Sequence, residues 1–499
     1  MVRVFINWVF LLGFFSISLS QTSFEIGLNS EEDCKVWEAN IDNNGSVILV
    51  GNIGPYIGLD YDAFVIKVNP DGDYITKRFD LLDTLSVFST VEILDNGNYF
   101  IIGSYSLEEN YLQRDNLWIV ILDEELNLIS ERSYQIREPY VGFGTSACSL
   151  IDNDGNIVLA AIAGDEDSKE KTIFADFAFY KFNQQGDTLV SKYYSYIWDE
   201  LPWELRQMPN SDNIMLIERC TYYNNHNELL FIDTDLNILK INNWATIDMD
   251  GDVSSDFWCT DTSFLVSGRG SWNMDGYYEY FINVYLMDTS ANIHQELVLN
   301  KNDTIDYSAW RNSMAYANDS TIYIGGFQNP FGFWLTDPTI VELYVIDKNM
   351  NLLGYKELGG DANYEVWGII ATDDDGCLIY GTSYTNDSVP ERDVHIWKVL
   401  REEINIITKI TETNQNIPNF DIYPNPAVNE VNLKLNKNKS WDNLTFSIFT
   451  IDGKKVFQKQ IQGKGNMLNI NISNLSEGIY VYRIFEKNNL ITNGKFIKK

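Results

Sequence analysis

Through the middle of the chain one unit recurs: an apolar run, a five-residue polar turn, then a second apolar run. The turns are Asn69–Asp73, Asp123–Asn127, Asn183–Asp187, Asp233–Asn237, Asp288–Asn292, Asp347–Asn351 and Arg401–Asn405, and the fifth position is Asn or Asp in all seven. Their spacing averages (401 − 69)/6, about 55 residues. Each turn follows a predicted strand, such as Ala63–Val68 or Leu117–Leu122, and precedes another, such as Tyr74–Phe79 or Leu128–Tyr134. Asn and Asp tolerate the left-handed backbone of a tight hairpin and bond the local backbone, so each turn reads as a hairpin.

A second hairpin precedes each of these, with turns that include Asp42–Gly45, Asp95–Gly97, Asp152–Gly155, Pro209–Asp212 and Asp373–Gly376. Two hairpins per repeat make four antiparallel strands. A lone unit exposes two apolar sheet faces; seven packed in a ring cover them. The predicted fold class is therefore all-β, a seven-bladed β-propeller over residues 21–411. A linear solenoid and stacked sandwiches are the alternatives. The seventh unit is expected to end with Ile404–Thr411 as its own outer strand; the addition of Phe24–Leu28 to the last blade is left open.

The ends read differently. Met1–Ser20 has Arg3, an apolar run from Val4 to Phe15, and small residues at Ser18 and Ser20. This predicts a signal peptide over residues 1–20, cleaved before Gln21, and too short to span a bilayer. After a polar linker at 412–419, residues 420–499 hold about seven short alternating strands, a small Ig-like antiparallel β-sandwich.

Charge marks the same boundary. The chain carries −35 overall, but residues 419–499 hold 12 Lys+Arg against 6 Asp+Glu, a net of +6. Residues 1–418 hold 24 against 65, a net of −41; the negative balance disfavours nucleic acid, and none is expected as a partner.

The terminal segment resembles the type A C-terminal sorting domain of cargo exported by the type IX secretion system of Bacteroidota. The resemblance rests on Tyr423-Pro424-Asn425-Pro426, Asp452-Gly453, Gly478 and Tyr480, and Gly494-Lys495 ahead of Lys498-Lys499. It implies that the secretion machinery is a partner through this domain and that the cargo crosses the periplasm. The cargo then becomes secreted or held at the outer-membrane cell surface, usually after cleavage of the domain. Exported Bacteroidota proteins similar to this one often carry propellers of diverse roles, so the resemblance names a scaffold and not a chemistry.

Candidate chemistry is sparse. Only His226, His294 and His395 occur, with no metal-binding spacing. No cofactor is expected. Asp-rich turns at Asp152–Gly155, Asp248–Asp252 and Asp373–Gly376 leave structural calcium open, although the full loop pattern is missing. Carboxylates, among them Glu204, read as solvated charge. Five scattered cysteines read as unpaired and buried. Trp37, Trp203, Trp310 and Trp367 share one place in their repeats, pointing to packing between blades or to an aromatic ring at the central mouth. Trp272, Phe331, Phe333 and Trp334 are the candidate binding aromatics. The reading is a binding protein for a glycan or protein ligand, with no transmembrane segment in the mature chain. A polysaccharide-active hydrolase or lyase, or a surface structural component, are the alternatives.

Overall fold

The computed structural model describes residues 23–28, 30, 32–55, 61–81, 85–106, 116–135, 147–164, 175–194, 200–220, 226–244, 252–274, 277–299, 305–328, 339–384, 391–406, 420–435, 444–450, 454–461, 467–486 and 489–499. It divides into two units, Met1–Lys409 and Ile410–Lys499.

The apolar runs of the first unit become antiparallel sheets with strands in chain order. Sheet one comprises Asp33–Ile41, Val47–Gly54, Asp62–Val68 and Tyr74–Phe79. Its third strand is buried at every position, whereas its fourth is mostly exposed. Uninterrupted apolar runs are what a strand covered on both faces requires. Sheets two to five repeat the plan, with first strands Leu85–Ile93, Ala147–Ile151, Glu200–Gln207 and Asp252–Trp258. In sheet six the first strand is broken into Asp306–Ser308 and Met314–Asn318, both paired with Thr321–Gln328. Sheet seven is formed by Asn363–Ala371, Cys377–Tyr384, Asp393–Val399 and, from the start of the chain, Phe24–Leu28.

Apolar clusters fill the space between successive sheets. Ile48 and Val50 of sheet one meet Phe88 and Ile101 of sheet two, and the pattern continues to sheets six and seven. A further cluster joins Leu378 and Ile396 of sheet seven to Val36 and Leu49 of sheet one.

The five-residue turns close as hairpins, by a different division of labour from the one expected. At Asp123–Asn127, Asp123 Oδ1 accepts the N–H groups of Glu125 (3.0 Å) and Asn127 (2.7 Å), and Asn127 Nδ2 donates to Asp123 Oδ2 at 3.0 Å. The positive φ falls on the fourth position instead: Gly72, Leu126, Gly186, Leu236, Ala291 and Met350. Leu126, Leu236 and Met350 are buried in the clusters between sheets, which offsets the unfavourable left-handed backbone. The outer strand of one sheet then reaches the turn of the next: Lys77 Nζ donates to the Leu126 carbonyl at 2.6 Å and Tyr194 Oη to that of Leu236 at 2.8 Å.

The seventh turn differs. Arg401–Glu403 forms a short 3-10 turn, and Ile404 leaves it extended at φ −86°. The expected outer strand Ile404–Thr411 therefore does not join sheet seven; Asn405–Ile406 pairs with Tyr355 and Gly354 at the edge of sheet six. Residues 407–411 lie outside the described residues. The outer position of sheet seven belongs to Phe24–Leu28, in register from Phe24↔Lys398 to Leu28↔Val394.

In the second unit, Phe420–Tyr423, Glu430–Leu435 and Met467–Asn471 form one sheet. Lys455–Ile461, Leu444–Thr450, Gly478–Glu486 and Asn489–Lys498 form the other. Val431, Leu433 and Ile470 of the first pack with Phe446, Ile448, Tyr482 and Ile484 of the second in one core.

Candidate functional site

The first strands carry a repeated irregularity. Register shifts bracket Trp37, Ser89, Trp203, Ser254 and Trp367, one per strand. Such a bulge re-aims the residues that follow it. Across from three of them the second strand holds Gly51, Gly103 and Gly381, where a Cβ would collide with the carbonyl oxygens of Lys35, Val87 and Glu365. In sheet six the same place is a longer excursion containing Trp310, Arg311 and Asn312, whose backbone bonds to sheet seven at Val366, Trp367 and Ile369.

Just beyond the bulges, residues from the first-strand segments of the seven described sheets line an open cavity of about 400 Å³. Its wall holds Glu38, Glu92, Ser149, Glu204, Arg206, Asp256 and Asn312. Nearer the first hairpin turns the lining becomes apolar and aromatic, with Ile151, Phe257, Tyr316, Ile370 and Ala371. Phe257 and Tyr316 stack there at 4.0 Å, and Tyr316 is 38% exposed.

Glu204 and Arg206, two apart in one strand, face the same side. Arg206 Nη2 lies 2.8 Å from Glu204 Oε1, and its Nε donates to Asp256 Oδ1 at 3.1 Å. Ser149 Oγ donates to Glu92 Oε1 at 2.7 Å. Arg311 Nη1 donates to the Ala147 carbonyl at 2.8 Å while its guanidinium lies 4.9 Å from the centre of the Trp203 ring. Among the described residues, no donor reaches Glu38 Oε2 or Asp256 Oδ2.

Burial governs the protonation of this group. It pushes the Glu92 carboxyl up to about 7, against the opposing Ser149 bond. Glu38 rises well above the usual carboxylate range through burial and then through Glu92, with Arg311 opposing. Glu204 and Asp256 are also raised by burial, against the pull of Arg206. Burial works against the Arg206 charge, but Glu204 and Asp256 outweigh it. The cavity therefore offers carboxyl groups able to accept or donate, beside fixed guanidinium charge.

Sequence reasoning had read Glu204 as solvated charge. Its side chain is only 14% exposed and sits in the cavity wall, because the bulge at Trp203 turns it inward. Glu38, Glu92, Arg206, Asp256 and Arg311 were missed. A signal was present for Glu38 and Arg311, which directly follow Trp37 and Trp310 as Glu204 follows Trp203; Glu92, Arg206 and Asp256 had none of this kind.

Of the aromatic candidates, Phe331, Phe333 and Trp334 lie outside the described residues, as does the side chain of Trp272. The repeated tryptophans pack together: Trp37 meets Trp367 edge-on at 4.9 Å, and Trp310 meets Trp367 at 6.4 Å. Two of the three Asp-rich turns spend a carboxylate on a lysine, Asp152 with Lys181 (2.7 Å) and Asp374 with Lys398 (2.5 Å). Residues 248–251 of the third lie outside the described residues. Cys34, Cys148 and Cys377 are buried free thiols, and Cys259 is a half-buried one.

In the second unit the sorting-motif residues meet at the last strand. Asn425 Oδ1 accepts the Ile497 N–H at 2.9 Å, and its Nδ2 donates to the Lys495 carbonyl at 3.2 Å. Tyr480 stacks on Phe496 at 5.7 Å and donates to the Ser476 carbonyl at 2.9 Å. Tyr423, Pro424, Pro426, Gly478, Lys495 and Lys499 are exposed, whereas Lys498 is buried. Asp452 and Gly453 lie outside the described residues, and Gly494 lies opposite Tyr482 in the outer strand pair.

Residues 421–499 match the family model of the secretion system C-terminal sorting domain. No curated protein is similar to the chain in sequence. Solved structures with a similar chain path include a PL25 ulvan lyase (TM-score 0.47, 11% identity, 75% of this chain and 96% of that one). A polysaccharide lyase, Uly1, gives 0.43 at 11% identity, over 73% of this chain and 89% of that one. A fungal alcohol oxidase of the AA5 family gives 0.43 at 11% identity, over 96% and 99%.

Proposed function

Because the chain is type IX secretion cargo, with a C-terminal sorting domain over residues 421–499 that sends it to the cell surface or the medium, we propose that its first unit is a seven-bladed propeller that binds a glycan there. The seven sheets follow one another with an apolar cluster at each junction, including the junction of sheet seven with sheet one. Phe24–Leu28 fastens that last junction.

The observation that carries the binding reading is the cavity lined by all seven first-strand segments. Its roughly 400 Å³ falls in the range of small-molecule sites. Carboxyl, guanidinium, hydroxyl and amide groups converge on its wall, and an aromatic pair stands toward one end. Sugars need this combination, because hydroxyls bond to the polar wall while ring faces stack on aromatics. A protein ligand would need a contact surface of about 1,000 Å² or more, which the cavity does not offer.

Glycan-array binding by the secreted protein, with Arg206→Gln in parallel, tests the reading. Retention on a defined set of glycans, lost in the variant, is expected; equal retention by both would remove the cavity from the account.

One observation favours catalysis as a second reading: Glu204 and Asp256 share one guanidinium, and Glu92 titrates near neutrality in the same cavity. New reducing ends or unsaturated sugars released from a bound polysaccharide would establish it, and binding without product would reject it.

A further inference from the structure

We infer that the cavity is a cup with a closed floor, and that it takes the free end of a glycan chain rather than its interior. This rests on the glycan-binding reading and names which part of a glycan the site holds.

One departure from the repeat builds the floor. In sheet six the Ala309 N–H donates to the Gly325 carbonyl at 2.9 Å, and the Gly325 N–H donates to the Ser313 carbonyl at 2.8 Å. Trp310, Arg311 and Asn312 thus leave the strand between two bonds to a single residue. Sheet seven fixes their backbone: Trp310 N–H bonds the Val366 carbonyl (3.0 Å), Arg311 N–H that of Trp367 (2.8 Å), and Ile369 N–H that of Asn312 (2.9 Å). Asn312 turns the excursion back at φ 40°, a left-handed backbone that Asn tolerates.

Arg311 then crosses the axis. Its Nη1 reaches the Ala147 carbonyl of sheet three at 2.8 Å, and its guanidinium lies 4.9 Å from the ring centre of Trp203 in sheet four. In a ring of seven, sheets six and three stand on opposite sides. Tryptophans fill the space beside this strut: Trp37 of sheet one meets Trp367 of sheet seven at 4.9 Å, and Trp310 lies 6.4 Å from Trp367. Ser254 of sheet five and Ser308 of sheet six share a hydroxyl hydrogen bond at 2.8 Å. Arg311 is only 7% exposed, so the layer admits little water from either side.

The opposite end is a mouth. The turns around it, among them Asp42–Gly45, Asp152–Gly155 and Asp373–Gly376, are short. Tyr316 stands exposed there, held by its stack on Phe257 and by its hydroxyl, which donates to Asp319 Oδ1 at 3.0 Å. A polymer threaded through the first unit would need two openings, and the cup has one. A terminal sugar can instead enter past Tyr316 and meet Ser149, Glu204 and the Arg206 side chain, which is 39% exposed. The next ring along the chain is then left beside the aromatic stack, where a sugar face packs well.

Calorimetric titration of the secreted protein tests this by counting binding sites per gram of polymer. The probes are xylan, laminarin, galactomannan and polygalacturonate, with the parent polysaccharide of any glycan the array retains, each intact and partially hydrolysed. Sites per gram should rise by the same factor as the number of chain ends. Tyr316→Ala, at the exposed mouth, should weaken binding of the hydrolysate by about fivefold. Without any sugar, Arg311→Ala uncovers Trp203 and should increase quenching of tryptophan fluorescence by acrylamide, with a thermal melt reporting whether the variant folds. Sites per gram that stay level or fall on hydrolysis, or unchanged binding in Tyr316→Ala, would overturn the cup while leaving glycan binding intact. Silence from every probe, together with an empty array, would overturn both.

Discussion

Glu25 and His395 stand side by side, Oε1 to Nε2 at 2.9 Å, although 370 residues separate them in the chain. They mark the seam where the start of the first unit joins its last sheet. Ser30 N–H bonds Asp393 Oδ1 at 2.7 Å nearby, and Arg392 clasps the buried Asp33 through both carboxylate oxygens at 2.8 and 3.1 Å. Burial lowers the His395 pKa despite Glu25, so the exposed Glu25 contributes little.

Asp33→Ala should consequently cost about 3 kcal/mol, since it leaves Arg392 facing a site built for a carboxylate. Glu25→Gln should cost less than about 1 kcal/mol. Urea unfolding of both variants checks this order, and a reversed order would show that the seam is held elsewhere.

The glycines opposite the bulges make a sharper prediction. Gly51→Ala and Gly381→Ala each drive a methyl group into a backbone carbonyl that the bulge pins, and should destabilise by about 1–3 kcal/mol or more. Gly325→Ala meets only Ile369 side-chain atoms at 3.6 Å and beyond, an ordinary contact, and should be nearly neutral. Thermal melts of the three separate close approach from a general dislike of losing glycine.

Glu92 predicts a pH dependence. Its folded pKa is raised to about 7 from 4.5, so between these values the folded state holds a proton that the unfolded chain has released. Stability from this group is present below pH 4.5 and is lost as pH rises toward 7. Glu92→Gln keeps an acceptor for Ser149 and removes the ionisation, and should gain about 3 kcal/mol on wild type at pH 8 and little at pH 4. Parallel unfolding curves at the two pH values would contradict the assignment.

Export offers a cellular test. Deleting residues 421–499 should leave the protein in the periplasm, and Asn425→Ala, which unpins the last strand, should reduce the amount reaching the medium. Cell fractionation reads both; undiminished secretion of the deleted form would deny the tail its sorting role.

The repeat was legible because each unit spells its hairpin locally. Six turns place Asp or Asn first, and in five of them that side chain accepts the N–H groups of the third and fifth residues. Arg401 opens the seventh with no oxygen to offer, which is why Arg401–Asn405 fails to reverse although its fifth residue matches. The turn also hid which residue goes left-handed, since Leu126 or Leu236 in that role depends on a neighbouring sheet to bury it. Pairing of Phe24–Leu28 with Asp393–Val399 has no local signature at all. The cavity acids were obscured for a related reason: Glu38 and Glu204 point inward only because Trp37 and Trp203 interrupt the strand's regular alternation.

The strand Asn405–Ile406, with Ile404 tucked beneath it, has a bearing on maturation. It seals the flank of sheet six at the end of the first unit's described residues. A protease that trims the exported protein downstream of Ile406 would leave that hem sewn in place, whereas one cutting a few residues earlier would unpick it and bare a fresh sticky border.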